Sequence, residues 1–377
     1  MKTNRTSLSI SECFADLPDP RMEKKTKHQL LDIITITICA VICGADSWVE
    51  IEEYGKAKYD WFHTFLDLPN GIPSHDTFGR FFALLSTEEL EKCFQRWVGS
   101  IAEVVEGVVS IDGKQLRRSY DSASEKAAIH MVSAWASSTG LTLGQVKTEE
   151  KSNEITAIPR LLKLLEVKGC IVTLDAMGTQ KPIAEQIIEQ EADYVLALKG
   201  NQGRLHEEVI NTFLHATETN FEGLEWDFYE TCNEDHGRKE ARRYWIISSL
   251  EGLQEIQEWK AVNLIGMVES EVVIGGQSST EIRYYISSLK GNAEAFAKAV
   301  RSHWGIENSV HWILDVAFRE DDCRIRMGNA AENLSILRRL AMNLIKQEKS
   351  SRVGVKAKRM KAGWDHSYLL KILTLKT

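Results

Sequence analysis

The chain has 377 residues, enough for one large core or for two or three domains, and its 43% hydrophobic and 27% charged residues are those of an ordinary globular protein. A net charge of −8 excludes a general coat of nucleic-acid-binding positive charge and leaves room for a local basic groove. The 7 cysteines make no C-x-x-C pair and no regular spacing, so they read as free thiols of a reducing cytoplasm. The opening MKTNRTSLSISECF lacks the apolar run of a secretory signal. Residues 30–45 are too short to span a bilayer and carry Asp32, so they read as a buried helix.

Residues 1–28 read as a polar connector. Residues 29–106 predict four helices, at about 29–43, 47–66, 74–85 and 87–105. The start signals are Ser47, Ser74 and the S-T-E-E run at 86–89; Pro69-Asn70-Gly71 and Pro73 are the breaks. This small all-α domain has two readings. It binds DNA ends through Ser74, His75, Thr77 and Arg80 of its third helix, or it is a packing unit.

From residue 107 the pattern changes. In VVSIDGKQLRRS, Val108, Val109 and Ile111 suit a buried strand that stops on the carboxylate of Asp112. Gly113 then permits a sharp turn or close approach of a ligand, and Lys114, Arg117 and Arg118 set positive charge beside the acid. Strands follow at 128–137 and 141–149, then a helix at 153–167 capped by Ser152 or Asn153. CIVTLDAM (170–177) is a second apolar strand that stops on an acid, Asp175; a helix at 180–190 and a strand at 193–202 complete the series. Three strands, helix, strand, helix, strand is the order of an RNase H-like fold, a mixed sheet covered by helices on both faces. In that order the strands of Asp112 and Asp175 lie side by side, and both carboxylates emerge at one sheet edge. Residues 203–290 read as a β-rich insertion: a helix, then four strands. Its segment EDHGRKEARR holds His236, Arg238, Lys239, Arg242 and Arg243, either a phosphate-binding ribbon or a solvated hairpin.

Asn292 caps a further helix that reaches Trp304-Gly305 and continues in helical pattern to about residue 316. Ile306, Val310, Ile313 and Ala317 form its apolar stripe, with Glu307 at the margin and His303 and His311 one turn away on either side. Glu307 is the third metal carboxylate of the sheet-edge site, or part of a zinc face with His303 and His311, or simply half-exposed. Asp315, Glu320, Asp321 and Asp322 are rival carboxylates, Asp315 the strongest of them.

Together, SIDGK, TLDAMGTQKPIAEQI with ADYVLALKGNQ, and RSHWGIENSVHWILDVAFREDDCRIR with NLSILRRLAMNLI strongly resemble the H-repeat-associated transposases, insertion-sequence enzymes of the DDE type. The resemblance runs from about residue 10 to about residue 348. It implies an RNase H-like catalytic domain at 107–348 with catalytic, metal-holding acids at Asp112, Asp175 and Glu307. It also implies Mg²⁺ or Mn²⁺, cleavage and strand transfer at element ends, and double-stranded DNA (element ends and target) as the partner. A homodimer assembled on DNA, in the cytoplasm and at the nucleoid, follows by analogy. Three carboxylates suit two ions astride a phosphodiester, and no protein nucleophile is then required. The alternative is a catalytically silent DNA-binding relic of a mobile element. Lys114, Lys199, Asn201 and Arg301 are the first choices for phosphate contacts near the scissile bond, with Arg238 and Arg242 in the insertion. Related enzymes with such an insertion carry Tyr, Arg and Lys around the glutamate, where this chain has Val300, His303 and Leu314, with Arg301 close by. A basic tail, 349–377, follows; the run 346–361 tracks DNA backbone or lies solvated.

Overall fold

The computed structural model describes residues 10–22, 26–101, 106–120, 128–149, 153–235 and 237–375. Ser152 and His236 lie outside the described residues. The N-terminal region is helical, as expected: α1 (Ile10–Phe14), α2 (Leu30–Ile42), α3 (Trp48–Ala57), α4 (Tyr59–Phe62), α5 (His75–Leu84) and α6 (Thr87–Ile101). Ser47 and Glu50 form a capping box at the start of α3, and Ser74 caps α5 through the Thr77 amide. His75 is engaged too, its Nδ1 lying 2.6 Å from Glu52 Oε2.

Nine strands form one sheet in the order β3-β2-β1-β4-β5-β9-β8-β7-β6. They are β1 (Gly107–Gln115), β2 (His130–Ala136), β3 (Leu141–Lys147), β4 (Cys170–Leu174), β5 (Asp193–Leu198), β6 (Trp226–Asp235), β7 (Arg238–Ile247), β8 (Leu264–Ile274) and β9 (Gln277–Ser287). β1, β4 and β5 run parallel and all other pairs are antiparallel. The first five strands give the mixed RNase H-like order expected from the sequence. The expected insertion strands, β6–β9, extend the same sheet through the β5–β9 ladder. They form a blade that projects from the core.

Helices α7 (Glu154–Leu162), α8 (Lys181–Glu189) and α9 (Gly203–Glu218) alternate with the strands. After the blade come α10 (Ala293–Ile306), a π-helical turn (Glu307–His311), α11 (Trp312–Val316), α12 (Ala330–Gln347), α13 (Val355–Trp364) and α14 (His366–Thr374). α12 packs on α2, α5 and α6 as well as on β3, so the N-terminal helices and the sheet share one continuous apolar core. The basic stretch after residue 349 folds as α13 and α14 rather than trailing. Arg359 is buried there, its guanidinium donating to the Val41 carbonyl at the end of α2 and lying 4.1 Å over the Phe318 ring.

α10 lies across β1, β4, β5 and the base of β6 and β7. Two glycines let it come close. A Cβ at Gly266 of β8 would collide with the Phe296 ring, and one at Gly305 would meet the Trp135 indole at 2.6 Å. Gly266→Ala should therefore lift α10 from the sheet and destabilise the protein by about 1–3 kcal/mol, the usual cost of overpacking. Urea denaturation checks this, and an unchanged midpoint would show that Phe296 repacks freely.

Candidate active site

The site grows from the parallel ladder of β1 and β4. Its last pairs are Ser110↔Thr173 and Ile111↔Leu174. The next residues in that register are Asp112 and Asp175. β4 ends at Leu174, so Asp175 opens a loop, while β1 continues to Gln115 against β2. Asp112 is thus inside a strand and not at its end. Alternation puts Ser110, Asp112 and Lys114 on the α10 face of β1.

A chain of polar groups fastens α10 to that face. Ser110 Oγ donates to the Ser302 carbonyl (3.2 Å), Thr173 Oγ1 donates to Ser110 Oγ (3.1 Å), and Thr173 Oγ1 lies 3.0 Å from His303 Nδ1. Each hydroxyl has one proton, so His303 Nδ1 must be the donor that completes the chain. The imidazole is neutral because burial drives its pKa down to about 4. α10 runs directly into the π turn that begins at Glu307, and π turns of this kind recur at functional sites. Lys346 of α12 braces the turn by donating to the Ser309 carbonyl at 2.5 Å.

Asp112, Asp175 and Glu307 line one cleft of about 430 Å³, together with Lys199, His303 and Trp304. Glu307 is exposed and lines the cleft. The acid that bears the cost of burial is Asp112. Desolvation, then the negative charges of Glu154, Asp175 and Glu307, push its carboxyl up to about 7. His311 Nδ1 lies 3.5 Å from Asp112 Oδ2, and His303 is committed to Thr173, so the two imidazoles do not form a zinc face with Glu307. Among the described residues no three His, Cys, Asp or Glu side chains are gathered tightly enough to hold an ion as they stand. The donor chemistry nonetheless fits a hard divalent cation. Carboxylate oxygens are its preferred ligands, and burial together with the surrounding negative charges disfavours the ionised Asp112, a cost that a cation would relieve.

The remaining expected residues divide sharply. Lys114 does not face the cleft: its side chain is 9% exposed, and its ammonium is taken by Asp315, by Asp321 (3.2 Å) and by Glu320 (3.6 Å). Three of the four rival acids are consumed in the same knot, and Asp322 pairs at the surface with Arg118 and Arg319. Glu320 is fully buried against Arg339 (3.1 Å), whose cation, with Lys114, outweighs burial and holds its carboxyl near 2. Asn201 donates its amide to the Ala176 carbonyl at 2.6 Å. Lys199 is exposed and lines the cleft.

Sequence reasoning missed Glu154 and His130, which pair at 2.8 Å on the opposite face of β1. Gly113 makes room for them: a Cβ there would collide with both side chains. That close packing, and not a turn, is the reason for glycine after Asp112. No pattern within SIDGK announces it, because the two partners come from β2 and α7.

Residues 103–344 match the family described as Transposase DDE domain, and residues 11–98 match the one described as DDE_Tnp_1-associated. Among curated relatives, "Putative transposase YncI" of Escherichia coli O157:H7 is 43% identical over 370 residues, covering 97% of this chain and 94% of that protein. "H repeat-associated putative transposase YhhI" of Escherichia coli strain K12 is 42% identical and covers 97% of each chain. A solved structure, the piggyBac transposase synaptic complex with hairpin DNA, is similar at a TM-score of 0.42 and 12% identity, covering 99% of this chain and 79% of that one. The chain belongs to the DDE-domain transposases, with relatives in the H-repeat-associated group.

The raised Asp112 carboxyl has a consequence for stability. Folding takes up a proton between the ordinary value of 3.8 and about 7, so this contribution is complete below about 3.8 and is lost as pH rises through about 7. In chelator-treated protein the stability of wild type relative to Asp112→Asn should fall across that window, by a few kcal/mol at most. Mn²⁺ at neutral pH should then raise the Tm of wild type and not that of the variant. A difference independent of pH would remove the crowding.

Proposed function

We propose that the protein is an active DDE transposase. It cleaves phosphodiester bonds at the ends of its own element and joins the freed 3′ ends to target DNA, with divalent magnesium or manganese. The convergence of Asp112, Asp175 and Glu307 on one cleft, from β1, the loop after the adjacent β4 and the turn that follows α10, is the observation that carries this reading. These three side chains would hold the ions. A bound divalent ion would supply activation of the attacking oxygen and neutralisation of the departing one. The chain's own groups do the rest. Lys199 presents positive charge at the cleft, where a scissile phosphate needs it. His303 stays neutral and fixes α10, and with it the start of the turn that carries Glu307.

A groove of about 920 Å³ leads away from Glu307 along the blade face past Arg301, Arg242 and Arg238. Arg242 sits by Arg301 closely enough that burial and that second cation lower its pKa. The groove carries four cations (Arg238, Arg242, Arg283, Arg301) and four acids (Asp235, Glu240, Glu281, Glu307); Glu240 pairs with both Arg238 and Arg242 and Glu281 with Arg283, while Arg301 makes no ion pair among the described residues. Such a track suits the DNA backbone adjoining the cut. In this reading double-stranded DNA is the partner, a homodimer assembles on it, and the work is done in the cytoplasm at the nucleoid.

The test is a plasmid carrying the gene with its native flanks, incubated with Mg²⁺ or Mn²⁺. Wild type should nick at the flanks. Asp112→Asn, Asp175→Asn and Glu307→Gln should each lower the rate at least about 10³-fold, the loss of several kcal/mol of transition-state stabilisation, and should leave circular dichroism unchanged. Retention of nicking by one variant removes that residue from the site. Binding of flank DNA without cleavage under either ion identifies a silent relic.

A further inference from the structure

Asp175 sits at the head of a short loop, DAMGT, whose shape decides where its carboxylate points. One oxygen, Oδ1, is occupied inside the loop, accepting from the amides of Met177 (3.0 Å) and Gly178 (3.1 Å). The direction of the other oxygen therefore follows the loop backbone. That backbone is held from outside at both ends. Asn201 Nδ2 donates to the Ala176 carbonyl at 2.6 Å, one residue after the acid. Gln202 Nε2 donates to the Thr179 carbonyl at 2.8 Å, at the loop's end. Thr179 itself is fully buried, its hydroxyl placed against the carbonyls of Ala197 (2.6 Å) and Asp175 (3.1 Å). Beneath the loop, a Cβ at Gly178 would meet the Ile158 side chain at 2.9 Å, so the loop is also pressed on the core.

Both amides come from the 3₁₀ turn Gly200–Gln202 that follows β5, directly after Lys199. We infer that Asn201 and Gln202 are positioning residues. They clamp the Asp175 loop so that its free carboxylate oxygen is set for a divalent cation, and they join that loop to the turn that directly follows the cleft-lining Lys199. This replaces direct phosphate contact as the role of Asn201, one of whose two Nδ2 protons is engaged by the Ala176 carbonyl. It rests on the proposed assignment of Asp175 as a cation ligand, but the clamp itself is measurable without turnover. Carboxamides serve here because each offers an N–H donor with no charge, and a cationic donor would compete with the metal for Asp175.

Asn201→Ala, Gln202→Ala and the near-isosteric Asn201→Asp and Gln202→Glu, each without its donor, test the inference in the full-length protein. Amide hydrogen exchange across residues 175–180 should accelerate about 10-fold or more in each variant, in metal-free protein. Mn²⁺ affinity by titration calorimetry or electron paramagnetic resonance should weaken about 10-fold or more, within the range seen when groups that orient a metal ligand are removed. Nicking should fall at limiting Mn²⁺ and recover at high Mn²⁺, while metal-free binding to flank DNA stays within about 2-fold of wild type. A variant that lost only general stability would lower Tm without this separation of metal from DNA affinity. If Asn201→Ala does not fold, Gln202→Ala, which grips the opposite end, carries the test. Unchanged exchange at 175–180 overturns the clamp. Unchanged Mn²⁺ affinity with weakened DNA binding overturns it in favour of a phosphate contact. If exchange accelerates as expected while wild type binds no Mn²⁺, the clamp stands and the transposase reading fails.

Discussion

The structure depends on how one helix is fastened to one sheet. α10 runs directly into the turn that carries Glu307, a cleft acid from outside the sheet, and it lies over β1, which holds Asp112, and β4, whose following loop holds Asp175. Apolar packing against Tyr244, Tyr285 and Phe296's neighbours brings it down, but such contacts alone tolerate sliding. The chain of Ser110, Thr173, His303 and the Ser302 carbonyl does not, because each donor has one acceptor at hydrogen-bond distance. The chain requires a donor at His303 Nδ1, and desolvation keeps that imidazole neutral beside the sheet. The two glycines that let α10 approach complete the fit.

Around that fastening, the acids are supported separately. Asp112 is held in a strand, between β2 and the β4 ladder, with His311 beside it. Asp175 hangs on a loop gripped by the next loop of the sheet. Glu307 begins a π turn whose Ser309 carbonyl is taken by Lys346. The buried knot of Lys114, Asp315, Glu320, Asp321 and Arg339 joins β1 to the segment after α11 and to α12. The Glu320–Arg339 pair at its centre is completely buried; such a pair adds little net stability, but removing one partner strands a charge. Their effect is to fix the register of the segments on either side of the cleft.

The blade shows how one sheet face changes its use along its length. Near the core, Tyr244, Ile246, Val268 and Tyr285 lie in the apolar cluster beneath α10. Farther out the helix no longer covers them, and the same groove is lined by Arg238, Arg242, Ser270 and Ser279. A sheet continuous with the catalytic core can hold such a surface at a fixed angle to the cleft, which a flexibly linked domain cannot.

Much of this was legible in one sequence. Alternation and apolar runs marked the strands, and caps such as Ser47, Ser74 and Asn292 marked helix starts within a residue of where they lie. The strand order followed from the element order, because connections between neighbouring strands are short and handed. Two acids following apolar runs were conspicuous because nothing in a strand core asks for them. Partnership was not legible. Lys114 next to Asp112 looked like a phosphate ligand, and only the fold brings Asp315 and Asp321 to it across about 200 residues of chain. Glu154 and His130 gave no local signal, and the basic C-terminal run hid two helices. The sequence by itself determined which segments are strands and helices and which carry acids, since those depend on neighbours a few residues away. Which charges meet a partner, and which stay free for a ligand, only the tertiary structure decided, because Coulomb and hydrogen-bond energies are set by distance in space and not by separation along the chain.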